Sequence, residues 1–253
     1  KINLINLGAT EEEEVLSEEI KTGLALVATK EKMFRWYQLS GQYNNAKAKT
    51  ADFKEDKQRF YKLAFEFYKE GIDKYALDVD AYETVWDEWY LPHCTRLIKA
   101  VSSTLLLATD REKLLEEIQV LQKEIDALLT QAIEKMPNEG MLYYIKGKYQ
   151  YLVFNSAHIG QAVKLLSADA YDNVIKSLEK SVELDDDKGL WLFVLANAYH
   201  EKSELITDGS EYLYKSYQCL KSALYKRDLL LIESHPKNSS ALNVRFGQLY
   251  FTL

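Results

Sequence analysis

Four histidines, His93, His158, His200 and His235, are the side chains best suited to proton transfer near neutrality, and they are dispersed along 253 residues. His200-Glu201 lacks the second histidine four positions on that a zinc-protease helix needs. His93-Cys94 is a dyad without metal-ligand spacing, so each histidine reads as a packed or solvent-facing ring. No Gly-x-Ser-x-Gly elbow and no glycine-rich phosphate loop occurs, and Gly147 and Gly247 fall inside helical patterns where close helix packing accounts for them. Carboxylates are abundant, but Glu11 to Glu14 and Asp185 to Asp187 are contiguous runs at expected helix starts or turns, where the helix dipole favours negative charge. The sequence therefore names no catalytic residue, no cofactor and no metal set. An enzymatic reading would need His200, Glu201 and another carboxylate to meet in one cleft.

Charge narrows the partner classes. Lys and Arg total 32 against 39 Asp and Glu, a formal charge of -7, which opposes general attraction to nucleic acid or anionic lipid. The richest basic stretch, Lys47, Lys49, Lys54, Lys57, Arg59 and Lys62, is interrupted by Asp52, Glu55 and Asp56 and reads as a solvated helix face. Cys94 and Cys219 lie far apart with no CxxC, so neither a disulfide framework nor a structural zinc site is expected. Reduced thiols suit a cytoplasmic or nuclear protein; a periplasmic or envelope location remains open if a signal peptide is removed upstream of Lys1. No apolar run approaches the ~18 residues of a membrane span. Asn238-Ser239-Ser240 matches a glycosylation acceptor, which is meaningless for a cytosolic chain.

The elements that would position any site are helices. Three prolines and ten glycines are few, and Leu, Ala, Glu and Lys are plentiful. One pattern places large residues at the first and fourth positions, a small one next and an aromatic three further on: Trp36, Leu39, Ser40, Tyr43, and again Leu192, Leu195, Ala196, Tyr199. Asn243, Phe246, Gly247, Tyr250 keeps most of it, Tyr143 with Gly147 keeps part, and Tyr82, Val85, Trp86, Trp89 keeps the spacing with Trp86 in the small position. A second pattern alternates with the first: Ala64, Tyr68, Gly71; Ile125, Leu129, Ala132; Val174, Leu178, Ser181; and Ser216, Leu220, Ala223. Arg111 to Met136 reads as one long helix stopped by Pro137, Pro92 can kink or restart another, and His235 to Ser240 is a loop.

This alternation resembles the tetratricopeptide repeat, whose helices A and B pack antiparallel with small residues at the close approaches. The resemblance implies an all-α fold, an α-α superhelix of about five antiparallel helix pairs. It covers one domain, 1–253, with a helical capping segment over 1–32 and the pairs over 33–253. The A positions Trp36, Tyr82, Tyr143, Leu192 and Asn243 are 46, 61, 49 and 51 residues apart, longer than the family period of about 34. Long helices or insertions are expected at Gln42 to Phe53, Ser102 to Arg111, Asn155 to Asp169 and Thr207 to Glu211. The last pattern is still helical at Leu253 with no partner helix after it, and a terminal repeat normally needs a polar cap, so the sequence reads as a piece trimmed from a longer chain.

The resemblance further implies a binding module rather than an enzyme, an adaptor or complex subunit whose concave surface is lined by A helices. Phe34, Tyr37 and Asn44, then Asp80, Glu83, Asp87 and Tyr90, then Met141, Tyr144, Lys148 and Tyr151, then Leu190, Phe193, Asn197 and His200 would face it. The expected contacts are Tyr37, Asp87, Tyr90, Tyr144, Lys148, Tyr151, Phe193, Asn197 and His200. Such a groove suits a peptide or helix with apolar anchors and some basic groups. Only Asn197 and Lys148 resemble the lysine and asparagine set that grips heat-shock-protein C-termini, so no such clamp is expected. Two alternatives stand beside this one. The aromatic rings could be interior, 18 tyrosines being more than a thin array exposes, with a small hydrophobic ligand in the resulting cavity. The chain could then resemble tetratricopeptide components associated with bacterial solute transporters.

Overall fold

The computed structural model describes residues 34–101, 108–157 and 168–226, and the regular structure among them is entirely helical. The expected capping segment 1–32, the run Glu11 to Glu14, His158, His235, the Asn238 triplet and the pattern Asn243 to Tyr250 lie outside the described residues. The chain divides into two compact units, Lys1–His93 and Cys94–Leu253.

In the first unit, α1 (Phe34–Thr50) and α2 (Lys54–Lys74) form a hairpin across residues 51–53. Glu55 and Asp56 in the first turn of α2 and Lys74 in its last complement the helix dipole. The pair runs antiparallel, because Phe34 meets Tyr75, Tyr37 meets Gly71 and Gly41 meets Tyr68, the α2 number falling as the α1 number rises. Two glycines set how near the helices come. A Cβ on Gly41 would lie 2.6 Å from the Tyr68 ring, and one on Gly71 would lie 2.9 Å from Tyr37 Cβ. Any larger side chain at either position would push the hairpin apart.

Asp78 then caps α3 (Val79–Val85), its carboxylate accepting the Asp80 N–H at 3.1 Å. α3 runs into a single π-turn, Trp86–Tyr90, before α4 (Leu91–Val101). Pro92 explains the widening: it has no N–H, and its ring crowds the carbonyl four residues back. The preceding N–H, that of Leu91, bonds instead to the Trp86 carbonyl five residues back. Sequence reading expected a kink or restart at Pro92, and the π-turn is its form.

The second unit carries α5 (Ala108–Lys135), α6 (Gly140–Ala157), α7 (Ala168–Leu184), α8 (Gly189–Leu205) and α9 (Ser210–Leu224). Gly140 packs on Ser181 and Gly147 on Leu178, so α6 and α7 are antiparallel. Ser216 Oγ donates to the Ala196 carbonyl at 2.8 Å while Tyr199 lies against Tyr212, so α8 and α9 are antiparallel too. Between hairpins, Tyr144 stacks on Trp191 at 5.1 Å and Tyr151 reaches Glu201, so the two leading helices α6 and α8 run parallel. Hairpin therefore follows hairpin in register, with neighbouring helices packed as pairs.

The second pattern read from the sequence is the packing stripe. Ala64, Tyr68, Ile125, Leu129, Ala132, Val174, Leu178, Ser181, Ser216, Leu220 and Ala223 are all at most 2% exposed. Burying one of the larger aliphatic chains among them contributes about 1.5–3 kcal/mol. The long spacing of the first pattern comes partly from helix length. Gln42 to Phe53, expected to hold inserted residues, is mostly helix, since α1 continues to Thr50. Thr207 to Glu211 contains only the short turn before α9, where Asp208 accepts both the N–H and the hydroxyl of Ser210. Asp185 likewise accepts the Asp187 N–H at 3.2 Å, so the acidic run there is a turn between helices.

Candidate functional site

The nine expected contact residues are not a common open surface. Tyr37, Tyr90, Tyr144, Phe193 and Asn197 are between 0% and 9% exposed. Their positions explain why. Tyr37 packs on Gly71 and edge-on to Trp36, Tyr90 meets Phe65 edge-on, and Tyr144 stacks on Trp191. Phe193 joins Leu192, Ala196, Leu220 and Ala223 in a cluster between α8 and α9. Asn197 turns its amide back on its own helix, donating to the Phe193 carbonyl at 2.9 Å. These five side chains join helices to one another, the arrangement that the interior-ring alternative expects.

The other four reach the surface to differing degrees. Asp87 is exposed on the π-turn, and Lys148 places its ammonium 5.3 Å from the Tyr144 ring. Tyr151 is half-buried and donates to Glu201 Oε1 at 2.7 Å. His200 is half-buried, with its backbone carbonyl accepting from Ser203. Tyr144, Lys148 and Tyr151 are brought together on α6. His93, the other candidate for proton transfer, stacks on Trp89 at 5.3 Å and nearly parallel, a packing role. Among the described residues no three His, Cys, Asp or Glu side chains converge as metal ligands would, and no helix is long and apolar enough to cross a membrane.

Polar side chains knit the helices in both units. In the first, Glu88 on the π-turn accepts from Gln38 at 2.6 Å, Gln42 at 2.9 Å and Tyr68 at 3.0 Å, so one carboxylate ties α1 and α2 to the turn. In the second, Glu201 accepts from Tyr151 and from Tyr171, the latter at 2.6 Å, joining α6 and α7 to α8. Glu179 accepts from Tyr199, and the buried Lys202 pairs with Asp172 while lying 4.4 Å over the Tyr212 ring. Burial first, and then the neighbouring carboxylates, push the phenols of Tyr68, Tyr171 and Tyr199 well above their ordinary range. They serve as neutral donors to carboxylates. Burial also pushes the Cys94 thiol up to about 12 and the Cys219 thiol up to about 11, so neither is an activated nucleophile.

A concavity lies elsewhere in the second unit. It is a trough of about 570 Å³ whose lining comes from α5, α6 and α7, with Ile133 from the first, Tyr143, Lys146 and Gln150 from the second. Asn173, Lys176, Ser177, Glu179, Lys180 and Glu183 supply the α7 wall. This wall is the polar side of α7, because its other side, Val174, Leu178 and Ser181, is committed to the hairpin. Lys180 pairs with Glu183 at 2.8 Å, and Glu179 is engaged by Tyr199 of α8. Lys146 and Lys176 make no ion pair within 4 Å among the described residues; Lys146 faces the more distant Asp126, whose carboxyl is raised by desolvation and partly pulled back by that lysine. Gln150 Oε1 is shielded from solvent and has no hydrogen-bond partner among the described residues.

Sequence reading missed these trough residues. Asn173, Lys176, Ser177 and Lys180 step by three and four along α7, which was visible, but such spacing describes any solvated helix face. Compared with known proteins, the sequence matches no family model and no curated protein.

Proposed function

We infer that the chain is a non-catalytic binding module of the tetratricopeptide-like kind, an adaptor or complex subunit that holds an extended polypeptide segment in the α5–α6–α7 trough. The observation that carries this reading is the trough itself. It is an open concavity of about 570 Å³, lined mostly by residues with polar or charged side chains and held between helices with buried stripes on their other sides. Small-molecule sites are enclosed and mostly apolar, whereas an open channel with side-chain amides and charges offers hydrogen bonds to a peptide backbone. A partner with apolar anchors and basic groups was expected on the premise that the A-helix rings are open. With those rings interior, a partner meets the lining of the trough instead.

Occlusion tests this. Asn173 is exposed on the outward face of α7, so Asn173→Trp adds bulk to the trough and disturbs no buried contact. Peptides enriched from a random display library on the unmodified chain should bind this variant about tenfold or more weakly, a loss of about 1.4 kcal/mol or more, with helicity unchanged. Equal affinity for both proteins, or no enrichment on the unmodified chain, would remove the trough from consideration.

A further inference from the structure

We propose that the trough selects an acidic segment, internal to its protein, with Lys146 and Lys176 receiving its carboxylates and the Gln150 and Asn173 amides receiving its backbone. The proposal rests on the binding-module reading and adds the chemistry of the partner.

The argument is one of unspent charge. Five charged side chains line the trough, Lys146, Lys176, Glu179, Lys180 and Glu183. Glu183 pairs with Lys180 and Glu179 accepts from Tyr199, so both carboxylates already hold a partner, and the lining as a whole carries three ammonium groups against two carboxylates. Lys146 on α6 and Lys176 on α7 stand on two walls of the trough, and neither is in an ion pair within 4 Å among the described residues. Asp126 interacts with Lys146 from beyond ion-pair distance, which leaves that ammonium room for a closer carboxylate. An acidic side chain entering from solvent therefore gains two charge-assisted contacts, while a basic one would have to displace existing partners. Gln150 adds a second observation. Its Oε1 lacks a donor among the described residues, and a turn of the amide would present it to a peptide N–H. The formal charge of -7 argues against a long polyanion, because repulsion by the whole molecule grows with the partner's length while two local contacts do not.

The test uses the full chain and two short fluorescein-labelled peptides, acetylated and amidated at their ends. One alternates Asp and Glu with Ala and Tyr, and the other replaces every acid by Lys. Anisotropy should show the acidic peptide binding, weakening as salt rises from about 50 to about 200 mM as exposed charge contacts do. The double reversal Lys146→Glu/Lys176→Glu should weaken it by about 10- to 100-fold. The charge-matched control Lys57→Glu/Lys69→Glu, on the exposed face of α2, should leave it within about twofold. Equal loss in both double variants would mean general electrostatics and overturn the proposal. So would tight binding of a single-stranded oligonucleotide that displaces the acidic peptide. If the lysine peptide binds, is blocked by Asn173→Trp and the acidic one is not held, the trough is a docking site for the opposite chemistry and only this inference falls. If neither peptide binds and display-selected peptides ignore Asn173→Trp, the binding-module reading falls with it.

Discussion

Raising the pH from about 9 to about 12 should unfold this protein cooperatively, with the buried tyrosines ionising only in the unfolding step. Tyr68, Tyr149, Tyr171 and Tyr199 are between 1% and 5% exposed, and burial is the first cause that lifts each phenol above its ordinary range. Carboxylates reinforce it: Glu88 at Tyr68, Asp126 at Tyr149, Glu201 at Tyr171 and Glu179 at Tyr199. A raised acid binds its proton more tightly when folded. The unfolded chain therefore loses protons first, and stability is fully present below the unfolded pKa of about 10 and falls as pH rises through it.

Each such phenol costs about 1.4 kcal/mol per pH unit above that point, so four together remove roughly 6 kcal/mol by pH ~11. Cys94, held neutral up to about 12, adds to the loss from about pH 9 upward. By pH ~12 the phenols alone remove about 11 kcal/mol, comparable with a whole domain stability of about 5–15 kcal/mol. Phenolate absorbance should rise in two phases. The phase that comes from the interior rings Tyr68, Tyr149, Tyr171 and Tyr199 should coincide with the collapse of helicity. A single smooth titration near pH ~10 with helicity intact would show that these rings are not interior.

The second large effect concerns the notch between α6 and α7. Leu178 is 0% exposed, and truncating it to Ala should cost about 2–5 kcal/mol in urea denaturation. Gly147 faces it: an added Cβ would lie 2.6 Å from Leu178 Cγ and 2.8 Å from Cδ2. Gly147→Ala should therefore cost about 1–3 kcal/mol through overpacking, offset by the roughly 1 kcal/mol that alanine gains over glycine within a helix. Combined, the two changes relieve each other, because the new methyl enters space that Leu178 vacates. The double variant should be less destabilised than the sum by about 1–3 kcal/mol. Strict additivity would mean that the hairpin does not close on this contact.

How far the sequence revealed the fold follows from such notches. A close approach of helices demands a small residue opposite a large one, so Ala64, Tyr68, Gly71 and their three counterparts carry their packing role in their identities. The burial of the A-helix rings was less legible. A single-stripe reading leaves Phe193 and Asn197 free, but α8 is enclosed by neighbours around its circumference: Trp191, Leu192 and Phe193, three consecutive residues, are all buried. Each neighbour buries another face, and nothing local in the sequence says how many neighbours a helix has. Pro92 marked a disturbance, and only the backbone shows the Leu91-to-Trp86 bond that results. The trough was illegible because it is a gap between three helices. The chemistry of its lining could be read from Lys146, Gln150, Asn173 and Lys176, but their convergence could not.

Hydrogen exchange on the full chain, with and without a display-selected peptide, tests the central claim most directly. Slowed exchange and altered side-chain signals confined to residues 143–150 and 173–183, the two walls of the trough, are the expected result. A footprint centred on Tyr37, Tyr90 and Phe193, with the trough unchanged, would contradict the account.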